Sequence, residues 1–124
     1  MGRLREGTLT SPRDPGIGPW YHEIGRVHLL QSCTDEAIVW LEKARSANPA
    51  NPVIRGTLAS AYGLKGDTKR GVAELAEARR LIGGDRYTSI ARLKAVGIFA
   101  TSTILTLSEA TYFAGLRKAG MPEE

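Results

Sequence analysis

Two histidines and one cysteine are the side chains of this sequence best suited to catalysis or metal binding. His22 and His28 are six residues apart, so on one helix they point to different sides and cannot share a metal ion. Cys33 has no histidine beside it to activate its thiol as a nucleophile. The carboxylates have the spacing of solvated helix faces, with no pair held together for acid–base catalysis: Asp35, Glu36, Glu42, Glu74 and Glu77. We therefore expect neither an enzyme nor a metal or cofactor site.

The composition predicts one small helical domain. Of the 124 residues, 42% are apolar but only 6% are aromatic, so a core must come from Leu, Ile, Val and Ala, which suits close-packed helices. The single Cys33 excludes an intramolecular disulfide, and no apolar run precedes Trp20 as a secretory signal would. We therefore expect a cytoplasmic protein.

The net charge of +4 is mild, and the basic residues are dispersed. They occur as pairs on different predicted helices, without interleaved aromatic residues: Lys69-Arg70, Arg79-Arg80 and Arg117-Lys118. Nucleic acid binding needs a continuous basic surface, so it is not expected here.

The chain is organised around residues 34–49, TDEAIVWLEKARSANP, which predict one short helix. Thr34 is placed to cap the first free amides, and Asp35 and Glu36 put negative charge at the positive end of the helix dipole. The helix ends before Pro49, because the residue preceding a proline is disfavoured in the α region. One face carries small or apolar residues at three- and four-residue spacings: Ala37, Ile38, Leu41 and Ala44. The two alanines leave room for a neighbouring helix.

This pattern recurs 34 residues later, and a fixed period of this size indicates stacked units. The corresponding residues are Ile24 and Leu58, Gly25 and Ala59, His28 and Tyr62, Ala37 and Gly71, Leu41 and Leu75, and Ala44 and Ala78. Together with Tyr21 and Pro49, this order resembles the tetratricopeptide repeat, a helix–turn–helix unit, over about half of the chain. Tyr21 stands where that family prefers tryptophan, and Arg55 departs from its pattern.

The resemblance implies an all-α fold, a right-handed solenoid of antiparallel helix pairs. Repeats would span about 18–51 and 52–84, after a flexible segment 1–18 and before capping helices at about 85–119. Such arrays bind peptides or partner proteins in a groove lined by the first helices of successive units. The chain would then be a protein-interaction scaffold, with these groove residues: His22, Arg26, Ser60, Tyr87 and Lys94. A clamp for a C-terminal carboxylate is not expected, since Gly56 and Thr57 occupy the corresponding stretch.

The other helix boundaries follow from their flanking residues. The first helix is predicted from Trp20 to Gln31, with one side for packing: Trp20, Ile24, Val27, His28 and Gln31. His28 is interpreted there as a half-buried histidine with its hydrogen bonds satisfied. The third helix begins with Asn51 as cap and Pro52 in the first position, and ends at Lys65 before Gly66. The fourth runs from about Thr68 to Leu81, before two glycines.

The residues after Gly84 must cover the second unit, because two stacked units alone leave an apolar face open. We expect residues 87–116 to fold back as two helices against the fourth helix, the last at about 103–118. The apolar residues available are Tyr87, Ile90, Leu93, Ile98, Phe99, Ile104, Leu105, Leu107, Tyr112, Phe113 and Leu116. A strip left uncovered would pair with a second chain, giving a homodimer through the C-terminal helices.

Two alternatives concern the same C-terminal region. The tail EATYFAGLRKAGMPEE is similar to tetratricopeptide regions of alphaproteobacterial proteins, where they follow a class III nucleotide cyclase or a DNA-binding regulator domain. The chain would then be an accessory, regulatory region of such a protein. The stretch 95–116 is also long enough to cross a membrane, but its serines and threonines favour a buried helix over a membrane anchor.

Overall fold

The computed structural model describes residues 17–84, 87–94 and 106–124, and every regular element in these ranges is helical. The elements are α1 Ile17–Leu30, α2 Thr34–Ala47, α3 Pro52–Lys65, α4 Thr68–Ile82, α5 Ile90–Lys94, a π-helical turn Glu109–Phe113, and α6 Ala114–Lys118. Consecutive helices pack pairwise, α1 with α2 and α3 with α4, and α2 also packs on α3. The predicted all-helical class is confirmed, and so are the limits of α2, α3 and α4 to within a residue or two.

Local capping explains most of these limits. The Asn51 side chain accepts hydrogen bonds from the amides of Val53 at 2.9 Å and Ile54 at 3.3 Å, as predicted. Gly66 and Gly83 end α3 and α4 in the left-handed conformation, with φ of 93° and 72°. The predicted cap of α2 is wrong: Thr34 is already helical, and Cys33 occupies the cap position without a side-chain hydrogen bond.

The first helix pair depends on small residues at its contact. The α2 residues Ala37, Leu41 and Ala44 are completely buried, as their spacing predicts. On α1, a Cβ added at Gly25 would lie 2.7 Å from the Leu41 side chain and 3.3 Å from the Ala37 carbonyl oxygen. Only a glycine at position 25 lets the two helices come this close.

The buried side of α1 is not the predicted one. The helix begins three residues earlier than Trp20, and its buried residues are Ile17, Gly18, Gly25 and Leu29. Trp20 and Val27, predicted to pack, are 41% and 42% exposed. The predicted apolar stripe at Trp20 and Val27 exists on α1, but no described part of the chain packs against these two side chains. Ile17 and Gly18 belong to the helix and not to a flexible N-terminal segment, while residues 1–16 lie outside the described residues.

Two clusters of buried side chains form the core. The first joins the two helix pairs and contains Leu29, Ala37, Leu41, Leu58, Ala61 and Tyr62. The second joins α3 and α4 to the C-terminal region and contains Ala59, Leu75, Ala78, Tyr87, Ile90, Leu93, Phe113, Leu116, Ala119 and Met121. The predicted fold-back of the C-terminal region is therefore confirmed for its described residues. Ile98, Phe99, Ile104 and Leu105 lie outside them.

The final helical segment, 106–118, packs chiefly on α3, whereas the sequence predicted packing on α4. A pair of glycines explains this choice. A Cβ added at Gly63 of α3 would lie 2.1 Å from the carbonyl oxygen of Gly115, and one added at Gly115 would lie 2.1 Å from that of Ser60. The two backbones are in direct contact there, whereas the approach of α4 is less close: a Cβ added at Gly71 would lie 3.1 Å from the Ala119 side chain.

The last residues are also part of the fold. The chain reverses at Gly120, whose φ is 104°. The carbonyls of Pro122 and Glu123 then accept hydrogen bonds from the Ile90 and Ala91 amides, both at 2.8 Å. These amides belong to the first turn of α5 and have no partner within that helix. The packed domain thus extends past its predicted end at residue 119, and Met121 is only 3% exposed.

Candidate functional site

The candidate site is the α1–α3 face, defined as the side of α1 and α3 against which the final helical segment lies. Of the five predicted groove residues, His22 and Arg26 are on α1, Ser60 is on α3, Lys94 ends α5, and Tyr87 precedes it. The sequence predicted an open groove at these positions. The structure places the chain's own C-terminal region there.

Two of the predicted residues are covered by that region or belong to its packing. Ser60 has no exposed surface, and its hydroxyl donates to the Tyr112 carbonyl at 2.7 Å. Tyr87 is 2% exposed, and its ring fills the space beside Gly56, where an added Cβ would lie 2.7 Å from the ring. Neither side chain is open to a partner in this conformation, because the fold-back uses both in the core.

Lys94 is part of an ion-pair network that links α5 to the final segment. Its ammonium group donates to Glu109, which also accepts from Arg117 at 3.1 Å. Arg117 in turn pairs with Glu123 in the last residues of the chain. The two cations lower the pKa of Glu109, and the hydrogen bond from Lys94 is the largest cause. Lys94 therefore serves as a tether for the fold-back in this structure.

His22 links α1 to α3 by a hydrogen bond of 2.9 Å between its Nε2 and the Thr57 hydroxyl oxygen. The Thr57 hydroxyl donates its own hydrogen to the Val53 carbonyl at 3.1 Å. We infer that Nε2 carries the hydrogen and donates to Thr57. Burial lowers the pKa of His22 and is the largest influence on it, so the ring is neutral at pH 7.

Arg26 is the most accessible of the five, with 40% of its side chain exposed. Its guanidinium pairs with Glu23, one turn earlier on α1, at 2.6 Å. The hydrogen bond from Arg26 lowers the pKa of Glu23. The pair is a solvated surface feature beside the α1–α3 face.

A charged cluster that the sequence reading missed joins three helices at Glu74, whose side chain is 8% exposed. Arg45 of α2 and Arg55 of α3 each donate to one of its carboxylate oxygens, Arg55 at 3.0 Å. The prediction of a solvated Glu74 is wrong. The spacing contained the signal, because Gly71, Glu74 and Leu75 share the buried face of one helix.

A second buried polar contact lies nearby, where the Tyr62 hydroxyl donates to Glu42 at 2.5 Å. Burial raises the pKa of Tyr62 to about 12. Both polar contacts connect different helices. Their arrangement is that of fixed links between helices and not that of an acid–base pair.

The remaining candidates for chemistry are isolated. His28 is half-buried, but its Nδ1 has no hydrogen-bond partner among the described residues, so the interpretation as a satisfied histidine is wrong for that atom. Cys33 is exposed and its thiol donates only to the Gln31 carbonyl, at 3.8 Å. In the ranges that the structure describes, no three His, Cys, Asp or Glu side chains come together as metal ligands.

Two further observations bear on the alternatives. Over residues 17–84, 87–94 and 106–124, no helix has the length and apolar character needed to cross a bilayer. A cavity of about 570 Å³ lies between α1 and α2, lined by Tyr21, Val39, Glu42, Lys43, Ser46 and Ala47. Of its two charged groups, Glu42 accepts the hydrogen bond from Tyr62 and the Lys43 ammonium lies 4.6 Å from the centre of the Trp40 ring.

Comparison with protein-family models, with curated proteins and with solved structures finds no match for this chain. The two resemblances therefore rest on the quoted residues alone. The structure shows the two helix pairs, and the sequence shows the 34-residue correspondence between them. Membership of the tetratricopeptide family remains a prediction.

Proposed function

We propose that this chain is a protein-interaction module whose α1–α3 face binds a helix of a partner protein. The observation that carries the proposal is the seating of the chain's own segment 106–118 on that face. Helix-in-groove binding uses an apolar helix face with anchors one or two turns apart. Segment 106–118 has this form, with Tyr112, Phe113 and Leu116 beside Gly115.

The chemistry of the α1–α3 face supports a helical occupant in particular. Gly63 of α3 removes side-chain bulk where the occupant's Gly115 approaches, whereas the space beside Gly56, on the same helix face, is filled by the Tyr87 ring. Ser60, between them, offers a hydroxyl that donates to a backbone carbonyl of the occupant, now Tyr112. A partner helix would need a glycine where Gly115 lies and an aromatic residue to pack beside Leu29 and Leu58, as Tyr112 does.

Partner binding then takes place by exchange with the chain's own final segment. The contacts that hold this segment are of two kinds, a tight glycine contact and an ion-pair network at Lys94 and Glu109. Ion pairs at partly exposed positions contribute little to stability, about 0–1 kcal/mol each. A substitution at the glycine contact should therefore release the final segment from α3 more effectively than a substitution in the ion-pair network.

The test uses the full chain and its Gly115→Val variant, in which the branched side chain would overlap the Ser60 carbonyl. Each is immobilised and exposed to extracts of cells that produce the protein, with and without a synthetic peptide of residues 106–124 as competitor. We expect the variant to capture a protein that the peptide releases, and the wild type to capture less of it.

The matched control is the same peptide with Gly115→Val, which should release nothing because it cannot seat on α3. Circular dichroism of the variant checks that α1–α4 remain helical. Direct fluorescence-anisotropy titration of the labelled peptide onto the variant is the second readout, independent of any extract. Absence of peptide binding to a folded variant would reject the α1–α3 face as a helix site.

A further inference from the structure

We propose that the partner helix of the α1–α3 face carries an acidic side chain one to two turns before its glycine, and that Lys94 selects for it. This inference rests on the proposed function, because it names a feature of the helix that binds the same face. The template is the chain's own segment 106–118, in which Glu109 precedes Gly115 by six residues. The acidic group of the partner takes the place of the Glu109 carboxylate, which now pairs with Lys94.

Glu109 stands alone in its part of the sequence. It is the only charged residue from Ala95 to Leu116. Its carboxylate accepts hydrogen bonds from Lys94 and from Arg117. A segment that otherwise binds through apolar and small residues thus carries one negative charge, and that charge meets two cations.

The two cations differ in what happens to them when the helices exchange. Arg117 belongs to the final segment and also pairs with Glu123, so it leaves the face together with Glu109. Lys94 belongs to α5 and stays behind. An occupant without an acidic group leaves the Lys94 ammonium without a carboxylate, so Lys94 discriminates between occupants. Because the acidic group precedes the glycine, the pair also fixes the direction in which the partner helix crosses α3.

The position of Lys94 does not depend on the final segment alone. Arg79 of α4 donates a hydrogen bond of 2.8 Å to the carbonyl of Tyr87, shortly before α5. The Tyr87 ring lies directly against Gly56 of α3. Both contacts are made by the helix pair α3 and α4, so they hold the start of α5, and with it Lys94, beside the α1–α3 face when the final segment is displaced.

The surroundings of Lys94 set the size of the selection. The side chains of Lys94 and Glu109 are 35% and 39% exposed. Ion pairs at such positions change an affinity by about two- to fivefold. The ammonium group also lies 5.0 Å from the centre of the Phe113 ring, which attracts a cation. The glycine contact and the apolar anchors therefore decide whether a helix binds, and Lys94 ranks the helices that fit.

Fluorescence-anisotropy titration of labelled peptides onto the full chain tests the inference. The receptor carries Gly115→Val, which opens the face, and Glu109→Gln, which removes the chain's own carboxylate from Lys94. The peptides are residues 106–124, acetylated at the N-terminus, in the wild-type, Glu109→Gln and Glu109→Lys forms. We expect Glu109→Gln to weaken binding about two- to fivefold and Glu109→Lys at least about tenfold, and high salt should reduce both differences.

A charge reversal in the receptor shows whether Lys94 is the selecting residue. With Lys94→Glu added, the Glu109→Lys peptide should bind at least as tightly as the wild-type peptide. The matched control is Lys43→Glu, which changes the net charge equally but lies on α2, outside the α1–α3 face. Circular dichroism checks that each receptor is helical, and the same titrations on a Gly115→Ala receptor provide a second, milder opening of the face.

The outcomes separate this inference from the proposed function. Equal affinities for the three peptides would overturn the inference while the α1–α3 face remains a helix site. Equal effects of Lys94→Glu and Lys43→Glu on the peptide preference would overturn it in the same way. If no peptide binds to a folded receptor, the proposed function fails and this inference fails with it.

Discussion

Replacing Gly115 by alanine tests the central packing contact of this fold, the approach of the final helical segment to α3. An added Cβ would lie 2.1 Å from the Ser60 carbonyl oxygen and 2.4 Å from its hydroxyl oxygen. Ordinary van der Waals contacts lie at about 3.5–4.0 Å, so the two helices must move apart by about 1.4 Å or more. Because the first atom met is backbone, no side-chain rotation can relieve the overlap.

The cost of this displacement has three parts. Overpacking of a well-packed site costs about 1–3 kcal/mol. Loss of the hydrogen bond from the Ser60 hydroxyl to the Tyr112 carbonyl adds about 0.5–1.5 kcal/mol. Alanine is better than glycine inside a helix by about 1 kcal/mol, which offsets part of the loss. We expect a net loss of about 2 kcal/mol, which lowers the Tm of a domain of this size by about 8 °C.

Thermal unfolding followed by circular dichroism, with urea unfolding for the free energy, measures this loss. Gly84→Ala is the matched control, since an added Cβ there meets no atom within 4 Å. Gly63→Ala should cost a similar amount. The loss of unfolding free energy in the double variant should be smaller than the sum of the two single losses, because one displacement of the final segment from α3 relieves both overlaps. A Gly115→Ala chain that unfolds like the wild type would refute the proposed packing of the final segment on α3.

Three further changes have expected outcomes. Glu74→Gln should lower the free energy of unfolding, measured by urea titration, by about 1–3 kcal/mol, because two arginines lose their buried carboxylate partner. The control Glu77→Gln, at an exposed ion pair, should have no measurable effect. Burial lowers the pKa of His22 below the ordinary 6.5, so stability should fall as pH drops below that value, and His22→Gln should reduce the slope between pH 5 and 7. Gly71→Ala should leave the Tm nearly unchanged, since a helix gain of about 1 kcal/mol is offset by close contacts; its Cβ would lie 3.1 Å from Ala119 and 3.2 Å from the Ala59 carbonyl.

The sequence by itself determined the local structure of α2, α3 and α4. Capping by Asn51, the left-handed glycines at 66 and 83, and the proline at 49 act through neighbouring backbone atoms, so their effect can be read without the rest of the fold. The buried face of α2 followed from the spacing of Ala37 and Leu41 for the same reason. The 34-residue correspondence then predicted two similar helix pairs, and the structure contains them.

The tertiary structure decided which apolar faces are covered and by what. The stripe at Trp20 and Val27 has the same spacing as a core face, yet its burial depends on whether another helix reaches it, and periodicity contains no information on that. The seating of the final segment on α3 depends on two backbones meeting at Gly63 and Gly115, which are far apart in sequence. The predicted groove residue Ser60 lies on α3 as expected, whereas Tyr87 precedes α5, and only the fold-back shows that the chain itself buries both side chains.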